Sequence, residues 1–78
     1  MKILITGGAG YIGSEMVGFL LNDGHEVTVI DTLQYGRTSL LRYVGMENFN
    51  FANIDVRRKD LLKPYLDSHD VVIPLACL

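Results

Sequence analysis

Four glycines crowd the stretch Gly7-Gly8-Ala9-Gly10-Tyr11-Ile12-Gly13, which lies directly after an apolar run and directly before a helix-like segment. Two spacings overlap in it: Gly-x-x-Gly-x-x-Gly through Gly7, Gly10 and Gly13, and Gly-x-Gly-x-x-Gly through Gly8, Gly10 and Gly13. Each glycine answers a separate demand. A residue at the strand-to-helix turn must take positive φ, the middle glycine must let backbone approach a ligand closely, and Gly13 lets the helix pack near the strand. The free N–H groups and positive dipole end of the following helix then face anionic groups. The chemistry implied is the cradling of a pyrophosphate, and the expected ligand is a dinucleotide.

A short glycine pattern occurs by chance, so the elements around it must carry the reading. Lys2-Ile3-Leu4-Ile5 is an apolar strand candidate, and Tyr11 to Asp23 places Ile12, Met16 and Leu20 on one helical face with Val17 and Leu21 beside them. Asn22-Asp23-Gly24 supplies a helix stop. The next strand, Glu26-Val27-Thr28-Val29-Ile30, ends at Asp31, which lies 21 residues after Gly10. That matches the spacing of roughly 20 residues at which an acidic side chain accepts hydrogen bonds from ribose hydroxyls.

The remaining order keeps alternating. A loop over 32–37 leads to a short helix candidate over 38–44, capped by Thr38 or Ser39 and ended by Gly45, and then to a strand from Phe49 to Ile54. A third helix lies between Arg58 and Asp67. Either Asp60 caps it and Pro64 deletes a hydrogen bond, or Lys63 is the boundary and Pro64 takes the first helical position. The last strand, Asp70 to Leu75, is apolar on both faces, as expected of a strand buried between helix layers, with Pro74 near its end. Alternating strands and helices imply an α/β fold with a parallel sheet and right-handed crossovers, in strand order 3-2-1-4. Ligand then binds outside the carboxyl ends of the strands, where the glycine turn, Asp31, Asp55-Val56 and Ala76-Cys77 all fall.

Seventy-eight residues make at most one small domain of marginal stability, and 49% apolar content fits a soluble globular class. A net charge of −2 gives no electrostatic reason to expect nucleic acid or a membrane surface as partner. Arg57-Arg58-Lys59 reads as a solvated loop and first helical turn, flanked by Asp55 and Asp60. The single cysteine, Cys77, gives no disulfide, and no apolar run is long enough for a signal peptide or a membrane span, so the expected compartment is cytoplasmic. Both histidines, His25 and His69, are expected to face solvent with no metal partner; Gly18 is expected to reflect close packing.

The blocks Thr6-Gly7-Gly8-Ala9-Gly10-Tyr11-Ile12-Gly13-Ser14, Gly24-His25-Glu26-Val27-Thr28-Val29-Ile30-Asp31, Asp55-Val56-Arg57 and Asp70-Val71-Val72-Ile73-Pro74-Leu75-Ala76 together resemble the extended short-chain dehydrogenase/reductase family, the NAD-dependent epimerases and dehydratases of nucleotide sugars. The resemblance covers essentially the whole chain. It implies a Rossmann-type fold, of which residues 1–78 are the N-terminal part, and NAD as cofactor. By the same resemblance Gly7, Gly10, Tyr11, Ile12 and Gly13 hold the pyrophosphate, and Asp31, Thr32 and Leu33 hold the adenosine ribose. Asp55 and Val56 contact adenine, and Leu75 and Ala76 line the cofactor beyond the fourth strand. It further implies a nucleotide-sugar substrate and a homodimer for the complete enzyme. A carboxylate at position 31 repels the extra phosphate of NADP and favours NAD. Pro74 stands where many relatives have histidine.

The family's chemistry needs a tyrosine with a lysine four residues later. The four tyrosines, Tyr11, Tyr35, Tyr43 and Tyr65, are followed at that spacing by Glu15, Ser39, Glu47 and His69, so no catalytic residue is assigned and the 78 residues by themselves are expected to be inactive. Two other functions stay open: a non-catalytic module that binds NAD or pairs through its open sheet edge, and a reductase of the same superfamily with a non-sugar substrate.

Overall fold

The computed structural model describes residues 1–7, 11–32 and 38–75. Gly8, Gly10, Leu33, Arg37, Ala76 and Cys77 lie outside them, and so does the loop reading for residues 33–37. The elements are β1 (Lys2–Thr6), α1 (Tyr11–Asn22), β2 (Glu26–Asp31), a 3₁₀ helix (Thr38–Tyr43), β3 (Phe49–Asn53), α2 (Lys59–Ser68) and β4 (Val71–Pro74).

Four parallel strands form one sheet in the order β3-β2-β1-β4, as the alternation required. Thr6 sits opposite both Ile30 and Pro74, and Ile30 sits opposite Ala52, so the carboxyl ends of all four strands come out level. β1 and β2 are apolar on both faces because both faces are covered. Ile3, Ile5, Val27, Val29, Phe49 and, beyond the sheet, Val17, Leu21, Leu40 and Tyr43 form one cluster under α1 and the 3₁₀ helix. Leu4, Ile30 and Leu62 form a second under α2. Burying each of these large aliphatic side chains contributes on the order of 1.5–3 kcal/mol.

α1 packs on the sheet through Gly13, Ser14, Val17 and Leu21, while Met16 and Leu20 are only half-buried. The buried line therefore runs through the two leucine and valine positions expected beside the main face. Gly13 is buried on that side, whereas Gly18 faces Tyr43 of the 3₁₀ helix. Gly24 (φ +89°) ends the helix: His25 N–H reaches the Leu20 carbonyl at 3.1 Å and Gly24 N–H the Leu21 carbonyl at 3.1 Å, the paired bonds of a Schellman motif. Gly45 (φ +98°) closes the 3₁₀ helix, the form taken by the helix expected over 38–44.

The start of α2 resolves the choice left by Pro64 in a third way. The helix begins at Lys59, with Arg58 as N-cap residue and no side-chain capping bond, and Pro64 lies inside it. The helix thus forgoes the hydrogen bond that a residue at 64 would have donated, a cost its apolar contact through Leu62 offsets.

Two further expectations need correction. β4 is not buried on both faces: Val71 and Ile73 are half-buried against the α1 side, whereas Val72 and Pro74 are exposed, because among the described residues β4 pairs only with β1 and nothing covers its α2 side. Nor does His69 face solvent. It turns inward at the end of α2, with Nδ1 2.7 Å from the Tyr65 carbonyl and Nε2 2.8 Å from Oγ1 of Thr28 in the buried strand β2.

Candidate functional site

The site is assembled at the carboxyl edge of the sheet, starting from Gly7. This residue follows β1 with φ +79°, a conformation that costs a side-chain-bearing residue dearly, and its N–H donates to the Ile30 carbonyl at 2.8 Å. The turn is thereby fixed to the end of β2 before the chain enters α1 at Tyr11. The backbone of Tyr11, Ile12 and Gly13 forms the first turn of α1, whose amino groups lack helical partners and carry the positive end of the dipole. No acidic side chain stands in that turn to compete for them. Gly13 is buried against the sheet.

Asp31 is the last residue of β2, opposite Asn53, and is half-exposed; Thr32 follows it, exposed. The neighbouring strand delivers Asp55 two residues beyond the end of β3. Its carboxylate is held by one residue: Oδ1 accepts the Arg57 backbone N–H at 2.9 Å and its Nε at 3.1 Å, while Oδ2 accepts Nε at 3.1 Å and Nη2 at 2.7 Å. These hydrogen bonds from the Arg57 side chain, and then the one from its backbone, hold the Asp55 carboxyl down to about 2. Asp55 also shapes the chain, since Arg58 N–H donates back to its carbonyl at 2.9 Å and the turn leads straight into α2. Arg57 thus engages both oxygens of the carboxylate, with its Nε–H shared between them. Val56 packs partly buried against the cluster under α2 and offers an apolar wall beside it.

On the other side of β1, Leu75 follows β4, its N–H donating to the Thr6 carbonyl at 2.8 Å, and packs against the cluster under α1. The structure thus brings Gly7, the first turn of α1, Asp31, Thr32, Asp55, Val56 and Leu75 to one edge. Glycine at the turn, amides at a helix N-terminus, two carboxylates and apolar walls suit the pyrophosphate, sugar hydroxyls and base of a dinucleotide. An apolar groove of about 370 Å³ lined by Leu40, Leu41, Val44, Phe49 and Phe51 lies elsewhere, on the outer side of β3, and contains none of these residues. Among the described residues no group of three or more histidine, cysteine, aspartate or glutamate side chains could hold a metal ion, and no helix is long and apolar enough to cross a membrane.

Two residues near the site were given no role in it by sequence reasoning. Arg57 fixes Asp55, and the signal available was an Asp followed two residues later by a donor, the pattern of an Asx turn. Tyr43 reaches the first turn of α1 from the 3₁₀ helix, donating from Oη to the Ser14 carbonyl at 2.7 Å. Its only trace in the sequence was Gly18, an unusual residue within a helix: a Cβ there would lie 3.1 Å from Cζ of Tyr43 and closer still to its hydroxyl.

Comparison with known proteins bears on this geometry directly. Residues 3–78 match the NAD dependent epimerase/dehydratase family. UDP-glucuronic acid decarboxylase 1 of Danio rerio is 50% identical over 56 residues, covering 70% of this chain and 13% of the relative. UDP-glucose 4-epimerase of Halalkalibacterium halodurans is 44% identical over 71 residues, covering 91% of this chain and 20% of the relative. Among solved structures, the Bordetella bronchiseptica enzyme WbmG in complex with NAD and UDP superposes with a TM-score of 0.87 at 33% identity, covering 100% of this chain and 25% of that one. The chain therefore spans between an eighth and a quarter of the length of these proteins. Its four-stranded order and helix placement are those of a Rossmann-type sheet, and the chain belongs to the NAD-dependent epimerase/dehydratase family.

Proposed function

We propose that residues 1–78 form the N-terminal part of the NAD-binding domain of a nucleotide-sugar epimerase, dehydratase or decarboxylase. The observation that carries this reading is the convergence, at the carboxyl edge of the sheet, of Gly7 at φ +79°, the first turn of α1, Asp31 at the end of β2 and Asp55 beyond β3. In this reading the α1 amides and the glycine turn bind the pyrophosphate. Asp31 accepts hydrogen bonds from the adenosine ribose hydroxyls, with Thr32 beside it, and Asp55 takes the exocyclic amine of adenine against the wall of Val56. Leu75 lines the cofactor toward the nicotinamide. Gly10, Leu33 and Ala76 belong to the same set by the family resemblance. Bound NAD supplies a hydride acceptor for the sugar; these residues bind and orient it. The acid/base groups that handle the sugar lie outside this chain, so the 78 residues bind cofactor without turnover. The complete enzyme acts in the cytoplasm as a homodimer.

Titration calorimetry with NAD on the product of the native reading frame tests the reading. Asp31→Ala weakens NAD binding by about 10- to 100-fold, the loss expected when hydrogen bonds to a charged acceptor disappear, and narrows the preference for NAD over NADP. Unchanged affinity in that variant would place the ribose elsewhere.

A further inference from the structure

We propose that Tyr43 is a positioning residue for the dinucleotide: its hydroxyl locks the pyrophosphate-binding turn of α1 to the segment through which the chain returns from the ribose-binding end of β2. The proposal rests on the cofactor reading above. Asp31 and the α1 N-terminus sit on different elements, and a dinucleotide that contacts both binds well only if their separation is set beforehand.

The 3₁₀ helix Thr38–Tyr43 makes no strand pairing, so side chains must fix it. Leu40 anchors it in the cluster under α1. Its C-terminal residues then grip α1 itself. Tyr43 Oη donates to the Ser14 carbonyl, buried, at 2.7 Å. The Tyr43 ring lies over Gly18, where the missing side chain lets it approach, and tilts against Phe49 with ring centres 5.8 Å apart. Arg42 adds an exposed ion pair, Nη2 to Oε1 of Glu15 at 3.1 Å, and its guanidinium lies 5.0 Å over the Tyr43 ring. The partners, Ser14, Glu15 and Gly18, all fall in the first two turns of α1.

Packing alone would be served by phenylalanine at position 43. The hydroxyl adds direction: it uses a second lone pair of a helical carbonyl in the same turn as the amides of Tyr11, Ile12 and Gly13. A buried bond of that kind sets the tilt and axial position of the first turn, which a ring free to slide over Gly18 does not. The exposed Arg42–Glu15 pair contributes less, being screened by water.

Tyr43→Phe in the full reading frame, assayed by calorimetry at a temperature where melting curves show every variant folded, raises the Kd for NAD and for ADP-ribose by the same factor, about 3- to 10-fold, as expected for one net hydrogen bond. Ile3→Val, a core truncation in β1 at the opposite edge of the sheet, lowers Tm comparably and leaves both Kd values unchanged. Equal Kd for wild type and Tyr43→Phe overturns the proposal alone. An Ile3→Val variant that weakens binding as much as Tyr43→Phe also overturns it, since the effect would then follow general stability. A wild-type protein that binds neither ligand overturns the cofactor reading and this proposal with it.

Discussion

Asp55 accepts three donors from Arg57 on its carboxylate and the Arg58 N–H on its carbonyl, so one residue turns the chain into α2 at the edge where the site is assembled. The hydrogen bonds from Arg57 lower its carboxyl from 3.8 to about 2. Because the folded-state value is depressed, the associated stabilisation is fully present above pH 3.9, the ordinary value of an unfolded aspartate, and is lost as pH falls through 2. Between pH 5 and 8 Asp55 is an anion and presents an acceptor throughout. A carbon-13 titration of the Asp55 carboxyl should show its midpoint near 2, and Arg57→Ala should return it toward 3.8; a midpoint unmoved by that substitution would remove Arg57 as the cause. The flanking of Arg57-Arg58-Lys59 by acids was legible in the sequence, and the structure pairs Arg57 with Asp55 and Arg58 with Asp60. The inward turn of His69 was not. Its partner Thr28 is 41 residues away on a different strand, so nothing local marked it.

At the scale of elements, His69 joins the end of α2 to the middle of β2. A carbonyl only accepts, so Nδ1–H donates to Tyr65, while Nε2 shares a hydrogen bond with the hydroxyl of Thr28, a residue 4% exposed. His69→Ala should cost about 1–3 kcal/mol in urea unfolding, because it strands a buried hydroxyl. Thr28→Val in the same background should recover part of that loss, and strictly additive effects would show that the two side chains do not interact. Strand identity and order were readable because β-branched runs alternate with helical periods. The onset of α2 was less so, since Arg58 begins it without a capping side chain and Pro64 sits within it, leaving no N-terminal signature to find.

For the whole molecule, what the sequence could not convey is what covers the sheet edges. Val72 on β4 and Leu61 and Leu66 on α2 are each more than 40% exposed or at that level, and together they leave apolar surface beside an edge whose outward backbone groups have no strand partner among the described residues. β3 forms the opposite edge with neither charge nor proline in Phe49–Asn53, next to the apolar groove at Leu41, Val44 and Phe51. A polypeptide of these 78 residues is therefore expected to self-associate, with sedimentation velocity showing species above the 8.7 kDa monomer. Val72→Lys should shift the distribution toward monomer, as a charge on an edge strand opposes pairing. A monomeric, cooperatively melting wild-type chain would contradict this expectation.

The central place of β1 also orders events during synthesis. The first strand made has its two neighbours in β2 and β4, and its start is held by Asp70, whose Oδ2 accepts the Lys2 N–H at 2.8 Å from 68 positions along the chain. Emerging at about 5–20 residues per second, β2 and then β3 can dock early, whereas β1 waits several seconds more for its second partner. During that interval its most buried side chains, Leu4 and Ile5, have one flank open, and the nascent chain is at its most vulnerable to chaperone capture or misassembly.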